Sequence, residues 1–471
     1  MLFATPRKPT CAAYAKKSKK SPENASNSGE KYSVLCYNAC SGVADICDTE
    51  TRVKRPCVRW ETISMKKIFR TAALLMAPLL LFTTVAPGVS AEAAEPARPE
   101  LRFRADGTFT ILQITDTQDT DQLHIGTAQF IEAALDEVQP DLVVYTGDNH
   151  AGWWLNQTKR KMRAAIDAIV GPVAARGIPF ATVPGNHDGE SIKAGITLED
   201  QLDMFMAYPT CLSVDDGDLT GCSTYNLLVK NAAGTKDVFN IYMVDSGGFK
   251  LFNAPDQDLI APDQVAWYRD KSDELRALNG GTPMPSMLFQ HIPVPEFYYE
   301  LMTPVAADIP DAIEGKGEAA GQFYLPDADK HIAGTLGERP CVAAKGMGFY
   351  DAWAQKGDVF AAFFGHDHNN DYVGKTADGI VMGYSRGTGF HAYGQGTSRG
   401  VRAFTLYEDD VRDFETRSIL YSDIVSTVMP EMPTYLPIPW HEHYNFLPDL
   451  FLFGAWLVGL AQKIIGIVSL L

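Results

Sequence analysis

Five short apolar runs along this chain each stop at a residue able to bind a hard or borderline metal ion. Residues 109–115 (FTILQIT) lead into Asp116 and residues 141–147 (DLVVYTG) into Asp148. Residues 179–185 (PFATVPG) lead into Asn186 and His187, 286–290 (SMLFQ) into His291, and 359–365 (VFAAFFG) into His366 and His368. A run of four to eight apolar, β-rich residues closed by Gly and polar residues predicts a buried strand. Helical patterns lie between them. In residues 126–141, Phe130, Ile131, Ala134, Leu135 and Val138 mark one face before Pro140 stops it, and residues 156–177 form a second helix closed by Gly177. The alternation predicts an α/β layered fold with helices outside the sheets. Runs 224–230, 237–245, 379–384 and 402–408 look like hairpin strands, so the sheets should be mixed. Residues 250–345 are rich in Pro and Gly and read as long loops near the site.

The ends of the chain have a different texture. Lys66, Lys67 and Arg70, then an apolar stretch from Thr71 to Val85, then Ala91-Glu92-Ala93, have the order of a secretory signal over residues 65–93. On that reading Met65 is the true start, and residues 1–64 are a non-native or disordered extension; the competing reading is a real extension with an internal anchor helix. The catalytic domain then runs over 94–425. A Pro-rich linker follows at 426–449, and residues 450–471 are apolar apart from Gln462, Lys463 and Ser469. That tail is long enough for a bilayer core, which needs about 20 residues, although Lys463 at its centre would cost roughly 2.5–3.5 kcal/mol before snorkelling. A membrane contact through 450–471, a helix packed on a partner or on the domain, and a disordered end all remain open. The expected location is secreted or cell-envelope.

Composition narrows the partners. The formal charge of the 471 residues is −17; residues 1–93 hold 14 Lys/Arg and 7 Asp/Glu, leaving 27 against 51, a net −24 for the rest. Such acidity argues against nucleic acid as a bulk partner. An anionic substrate must be attracted locally, by metals and a few cations. Five of the eight cysteines lie before residue 65; Cys211 and Cys222, around the turn-like 213–221, are expected disulfide partners in an oxidising compartment, with Cys341 left single.

In open α/β sheets the ligand crevice lies at the carboxyl ends of the strands, so the five strands should deliver their polar residues to one edge. A dinuclear hydrolase needs two cations roughly 3.5–4 Å apart, bridged by one carboxylate. Asp148 is the natural bridge, since its strand lies in the middle of the set. Asp116 would serve the first metal and Asn186 the second, with His291, His366 and His368 supplying imidazoles. His187 directly follows a ligand and is placed to protonate a leaving alkoxide. Each piece alone is a common polar turn; the set, in this order, is not.

The set Asp116, Gly147-Asp148-Asn149, Gly185-Asn186-His187-Asp188, His291 and Gly365-His366-Asp367-His368 resembles the calcineurin-like metallophosphoesterases over about residues 105–410. The phrases ILQITD, PDLVVYTGDN, PGNHDGE, VDSGG, QHIPVPEF, GHDHNNDYVG and GFHAYG resemble the purple-acid-phosphatase-related group. The resemblance implies a four-layer α/β/β/α sandwich of two mixed β-sheets and two metal ions per chain (Fe, Mn, Zn or Mg). It also implies hydrolysis of phosphate esters, monoesters first, by attack of a metal-bound hydroxide, with His187 as general acid. Phosphodiester hydrolysis of nucleotides or lipid headgroups, and a non-catalytic scaffold, are the alternatives. Two departures stand out. The family's Asp-x-His on the first strand is here Asp116-Thr117-Gln118, so either the Gln118 amide oxygen or Asp119, Asp121 or His124 completes the first site, or that site is weak. The Tyr that gives purple acid phosphatases their colour is replaced by Ala151. Asp188 and Asp367 are expected to orient neighbouring histidines, and His150, Arg386 and His391 to touch the phosphate or its leaving group. Trp153 and Trp154 are candidates for the cleft lining, and 245–248 for its floor.

Overall fold

A computed structural model describes residues 34–37, 44–47, 98–152, 157–215, 217, 219–248 and 260–426. The chain divides into two compact units, Met1–Ser90 and Ala91–Leu471. In the first, Val34–Tyr37 pairs antiparallel with Ala44–Cys47. The expected signal segment, the linker from residue 427, the apolar tail, and Trp153 and Trp154 lie outside the described residues. No helix among the described residues is long and apolar enough to cross a membrane.

In the second unit the alternation of side chains builds two sheets face to face. One sheet has five strands in the order Glu415–Leu420, Gly400–Tyr407, Thr108–Ile114, Leu142–Thr146, Phe180–Val183, the last three mutually parallel. Phe109, Ile111, Leu142, Val144, Ala181 and Val183 point to the second sheet. Their neighbours Leu112, Ile114, Val143, Tyr145 and Phe180 point outward onto Phe130, Ile131, Ile166 and Ile169 of the helices Ile125–Val138 and Lys159–Ala175. Because successive residues face opposite ways, a one-residue slip would exchange the two cores. Both helices begin where expected, on caps: His124 Nδ1 accepts from Gly126 N, and Thr158 from Lys161 N. The first ends at Val138, two residues before Pro140, with the cap Gln139 left-handed at φ 48°.

The other sheet has eight strands, in the order His331–Ala333, Val373–Lys375, Val381–Tyr384, Val359–Phe364, Ser286–Gln290, Asp237–Val244, Tyr225–Lys230, Leu101–Arg102. It is mixed, with Asp237–Val244, Ser286–Gln290, Val359–Phe364 and Val381–Tyr384 running parallel and Tyr225–Lys230 antiparallel to its neighbour. Phe239, Ile241, Met287, Phe289, Ala361 and Phe363 fill the inter-sheet core. Tyr242, Leu288, Ala362 and Phe364 face outward with residues of the helices Pro262–Leu278 and Phe349–Lys356. This is the four-layer α/β/β/α sandwich. Gln113, buried between the layers, ties the sheets at the site end by donating to Thr146 Oγ1 (2.9 Å) and to the Phe364 carbonyl (3.1 Å).

Two expectations need correction. Part of the stretch read as long loops folds into an antiparallel sheet of Met302–Val305, Phe323–Pro326 and Ile313–Glu314. Its strands are only two to four residues long, too short to show an alternating pattern. Cys211 is a buried thiol, its pKa raised by burial, and the bridge to Cys222 is not made. Cys211 is packed in the outer helical core and bridges to Phe180, whereas the Cys222 N–H is held by Asp245 Oδ2 at 2.7 Å.

Candidate metal centre

Each parallel strand ends in a sharp turn that throws a polar side chain back across the sheet edge. Asp116, Gln118, Asp148 and His366 all have positive φ (50°, 38°, 49° and 74°). A left-handed conformation costs a non-glycine residue about 1–2 kcal/mol, and such strain concentrates at functional sites. The turns brace one another: Asp116 N donates to the Gly147 carbonyl, Gln118 N to that of Asp148, and Gly365 N to that of His291. Glycines allow this closeness. A Cβ on Gly185 would lie 2.3 Å from both Asp148 N and Oδ1, and one on Gly365 2.0 Å from Thr115 Oγ1.

The side chains converge in two groups that share one carboxylate. Ligand atoms of Asp116, Asp148 and His368 lie within 4.8 Å of one another, as do those of Asp148, His291 and His366. His366 and His368, two residues apart, thus join different groups. Asn186 Oδ1 lies 3.1 Å from His291 Nε2, beside the second. Gln118 reaches the first, its Nε2 donating to Asp148 Oδ2 at 2.7 Å. A half-turn of that amide would present Oε1 instead, since the two ends of an amide are assigned from their neighbours. The alternatives to Gln118 are engaged elsewhere: Asp119 receives His124 N, Asp121 faces Lys161 Nζ at 3.8 Å, and His124 caps its helix.

Each imidazole is aimed by its second nitrogen. His291 Nδ1 pairs with the Thr146 carbonyl (2.8 Å), and His368 Nδ1 with that of Tyr393 (2.8 Å), whose ring stacks on it at 3.9 Å. This leaves both Nε2 atoms directed inward, as metal-bound histidines are held. Burial opposes charge throughout, yet the Asp148 and Asp116 carboxylates outweigh it at His291 and hold that imidazole up to about 10. At His366 the balance goes the other way: burial and the charge on His291 outweigh the same two carboxylates and push it down to about 3. For Asp148, desolvation is likewise outweighed, by His291 and His187, and its carboxyl stays well below the usual range. His187 sits at the rim. Its backbone N–H donates to Asp148 Oδ1 (2.7 Å), and its Nδ1 lies 3.1 Å from Glu190 Oε1. Against the cost of burial, Asp148 and Glu190 raise it to about 9.

The donor set fits two cations. Asp116 Oδ1 is buried without a well-aligned hydrogen bond, and the nearest imidazole nitrogen, His368 Nε2, is 3.2 Å away. Two ligand atoms converging in this way suit a shared ion better than a hydrogen-bonded pair. The mixture of carboxylate, imidazole and amide donors matches borderline and hard ions.

Other expected positions fall differently. Asp188 does not touch the His187 ring. It accepts N–H groups from Gly185 and Asn149 and lies 3.3 Å from His150 Nε2, so it ties two site loops together. Asp367 Oδ2 accepts from Cys341 N rather than from a histidine. His150 is 1 % exposed and bonds Gln201, and Arg386 is held by Asp371, Gln395 and Ser398. Of the three residues expected at the phosphate, His391 keeps the most open side chain, 32 % exposed, with Nδ1 2.6 Å from Asp119 Oδ1. On the floor, Ser246 Oγ accepts Ile292 N beside His291, and Gly248 lies against Asn186. Glu190 and Tyr393 were not singled out in the sequence. Glu190, three residues past His187 in PGNHDGE, had a spacing signal, and Tyr393 lies two residues past His391 in GFHAYG.

This sandwich with a carboxylate shared between two ligand groups defines a class. The calcineurin-like phosphoesterase family matches residues 109–370, from the first strand to just beyond His368, and the chain belongs to that family. Within it the chain falls in the purple-acid-phosphatase-related group. It is 28 % identical over 340 residues to probable inactive purple acid phosphatase 14 of Arabidopsis thaliana, spanning 65 % of this chain and 77 % of that one. It is 29 % identical over 334 residues to probable inactive purple acid phosphatase 29 of the same plant (64 % and 77 %). A shorter similarity, 27 % over 221 residues, is to phosphatase DCR2 of Saccharomyces cerevisiae (41 % and 36 %).

Proposed function

We propose that this protein is an exported phosphoesterase that holds two cations on Asp148 and hydrolyses phosphate esters, monoesters in preference. The observation that carries the reading is Asp148 itself. It is common to both ligand groups while its Oδ1 receives the backbone N–H of His187. Asp116, Gln118 and His368 would hold one cation with it, and Asn186, His291 and His366 the other. Bound there, the ions would polarise the phosphoryl oxygens and make water a nucleophile at neutral pH.

The chain's own groups do the rest. The Asp148 contact fixes His187 beside the centre, and Glu190 fixes its ring. Without metal, Asp148 and Glu190 raise that imidazole to about 9 against burial; beside bound cations the Glu190 contact is the support that remains, and through it His187 can give its proton to the departing alkoxide oxygen. Positioned acids of this kind contribute about 10²–10⁴ in rate. The signal-like residues 65–93 support export.

A non-catalytic reading has two observations in its favour: the Gln118 amide, where the family has histidine, donates to Asp148 in this structure, and two similar plant proteins are named probable inactive purple acid phosphatases. The test is phosphate release from para-nitrophenyl phosphate and its bis-ester by the chelator-stripped chain reloaded with Mn²⁺, Fe, Zn²⁺ or Mg²⁺. Metal-dependent turnover, faster on the monoester, is expected. Two ions bound with no turnover on either ester would sustain the scaffold and overturn the enzyme.

A further inference from the structure

The short three-stranded sheet inserted between His291 and His366 brings a cation to the edge of the metal centre. Lys316 lies in the turn after Ile313–Glu314, between two glycines. Gly317, at φ 58°, is so close to the following segment that a Cβ there would lie 2.5 Å from the Ala343 carbonyl, and Gly315 packs equally tightly on Ala319. The turn is therefore pressed against residues 341–344. That segment is itself fixed to both metal-site loops: Ala343 N donates to the Pro293 carbonyl, two residues after His291, and Cys341 N to Asp367 Oδ2, between His366 and His368. At the junction Lys316 Nζ lies 2.8 Å from Cys341 Sγ. The sulfur is in turn within 4.8 Å of His366 and Asp367 ligand atoms.

Cys341, His366 and Asp367 thus form a third cluster of potential ligands, but a third metal is not what it is built for. An ammonium already faces the sulfur, and the Asp367 carboxylate is capped by a backbone N–H. The cluster is better understood as a seat for the lysine. Lys316 is half-buried, and its charge is felt at His366 and Asp367. In a catalytic domain with many more acidic than basic residues, such a placement needs a reason. The nearby arginine expected to help, Arg386, is committed to Asp371.

We propose that Lys316 is a substrate-binding residue, its ammonium taking a non-bridging oxygen of the phosphoryl group on the His366 side and thereby favouring the dianionic monoester over the monoanionic diester. This rests on the phosphoesterase reading above and adds its selectivity. An ammonium is a compact point charge, so its gain grows with the charge on the phosphoryl group. Removing one charged hydrogen bond costs about tenfold in binding.

The test uses the metal-loaded full chain, its K316M and K316R variants, inorganic phosphate as the binding probe, and para-nitrophenyl phosphate and its bis-ester as substrates. For K316M the expectation is a roughly tenfold weaker phosphate Kd and a similar rise in monoester KM. Diester constants should move less than about twofold, with metal content and kcat near normal, and K316R should recover most of the loss. A merely structural lysine would not separate monoester from diester. Equal effects on both esters, or an unchanged phosphate Kd in K316M, would overturn the proposal while leaving the phosphoesterase intact. Phosphate binding by the wild type without turnover would overturn the enzymatic reading alone, Lys316 then being judged on the phosphate Kd. No phosphate binding by the wild type would overturn both.

Discussion

Replacing Gly185 by Ala adds one methyl group at the point where two metal-site loops touch. Gly185 does not use a left-handed backbone, so alanine meets no conformational penalty; the cost is steric. The new Cβ would lie 2.3 Å from Asp148 N and Oδ1 and 2.9 Å from its Cγ. Ordinary contact for these atoms begins near 3.4 Å, and the backbone nitrogen cannot swing aside, so the loops must part by about 1 Å. Displacements of that size cost on the order of 10² in rate when they misplace reacting groups, and overpacking costs about 1–3 kcal/mol in stability. Because Asn186 and His187 follow directly, the shift separates His187 from Asp148 and disturbs the second ligand group together. The assay is kcat/KM for an aryl phosphate, with metal content and thermal midpoint, against G171A as control. Gly171 is in the helix Lys159–Ala175, where a built Cβ meets nothing within 4 Å beyond its own helix and chain neighbours; Pro172 follows it, so alanine there can lower the thermal midpoint but should leave metal content and kcat/KM at the wild-type level. A G185A enzyme with full metal and activity within twofold of wild type would refute the reasoning.

His187→Ala should lower kcat by about 10²–10⁴ with both ions retained; normal turnover would remove His187 as the acid. Gln118→His should tighten the weaker ion, read as a lower Kd, whereas an unchanged Kd would take Gln118 out of the ligand set. Metal loading should also be pH-linked. Without metal, His291 is held protonated to about pH 10, and a ligating imidazole must lose that proton. Affinity should therefore rise from pH 7 to 9 with at least one proton released per chain, as measured by calorimetry in buffers of different ionisation enthalpy. An affinity flat over that range would contradict the hold of Asp148 and Asp116 on the His291 proton.

The layered fold and the ligands were legible for one physical reason. Strands buried on both faces are short apolar runs, and a polar residue just past such a run must lie at the sheet edge. That logic reaches Asp116, Asp148, Asn186, His291, His366 and His368, which the fold brings to one sheet edge. It does not reach groups whose role depends on packing between distant loops. Tyr393 meets His368 from within GFHAYG, where nothing in the spacing names that partner, and Lys316 arrives in the turn after a two-residue strand, too short to show a period. Adjacency in sequence also misled. Asp188 was expected to orient neighbouring histidines; it lies 3.3 Å from His150 Nε2 while accepting the backbone N–H groups of residues 185 and 149, and the His187 ring is met by Glu190 instead. Cys211 and Cys222 are close along the chain, yet each is anchored in a different packing environment.

The claim on which all of this depends is that Asp148 is shared by two cations. Elemental analysis of purified wild-type and Asp148→Ala protein, each reloaded with excess metal and desalted, tests it directly. The wild type should carry two ions per chain and the variant neither; a variant that keeps two ions, or one that loses a single ion while holding the other at full affinity, would contradict the account.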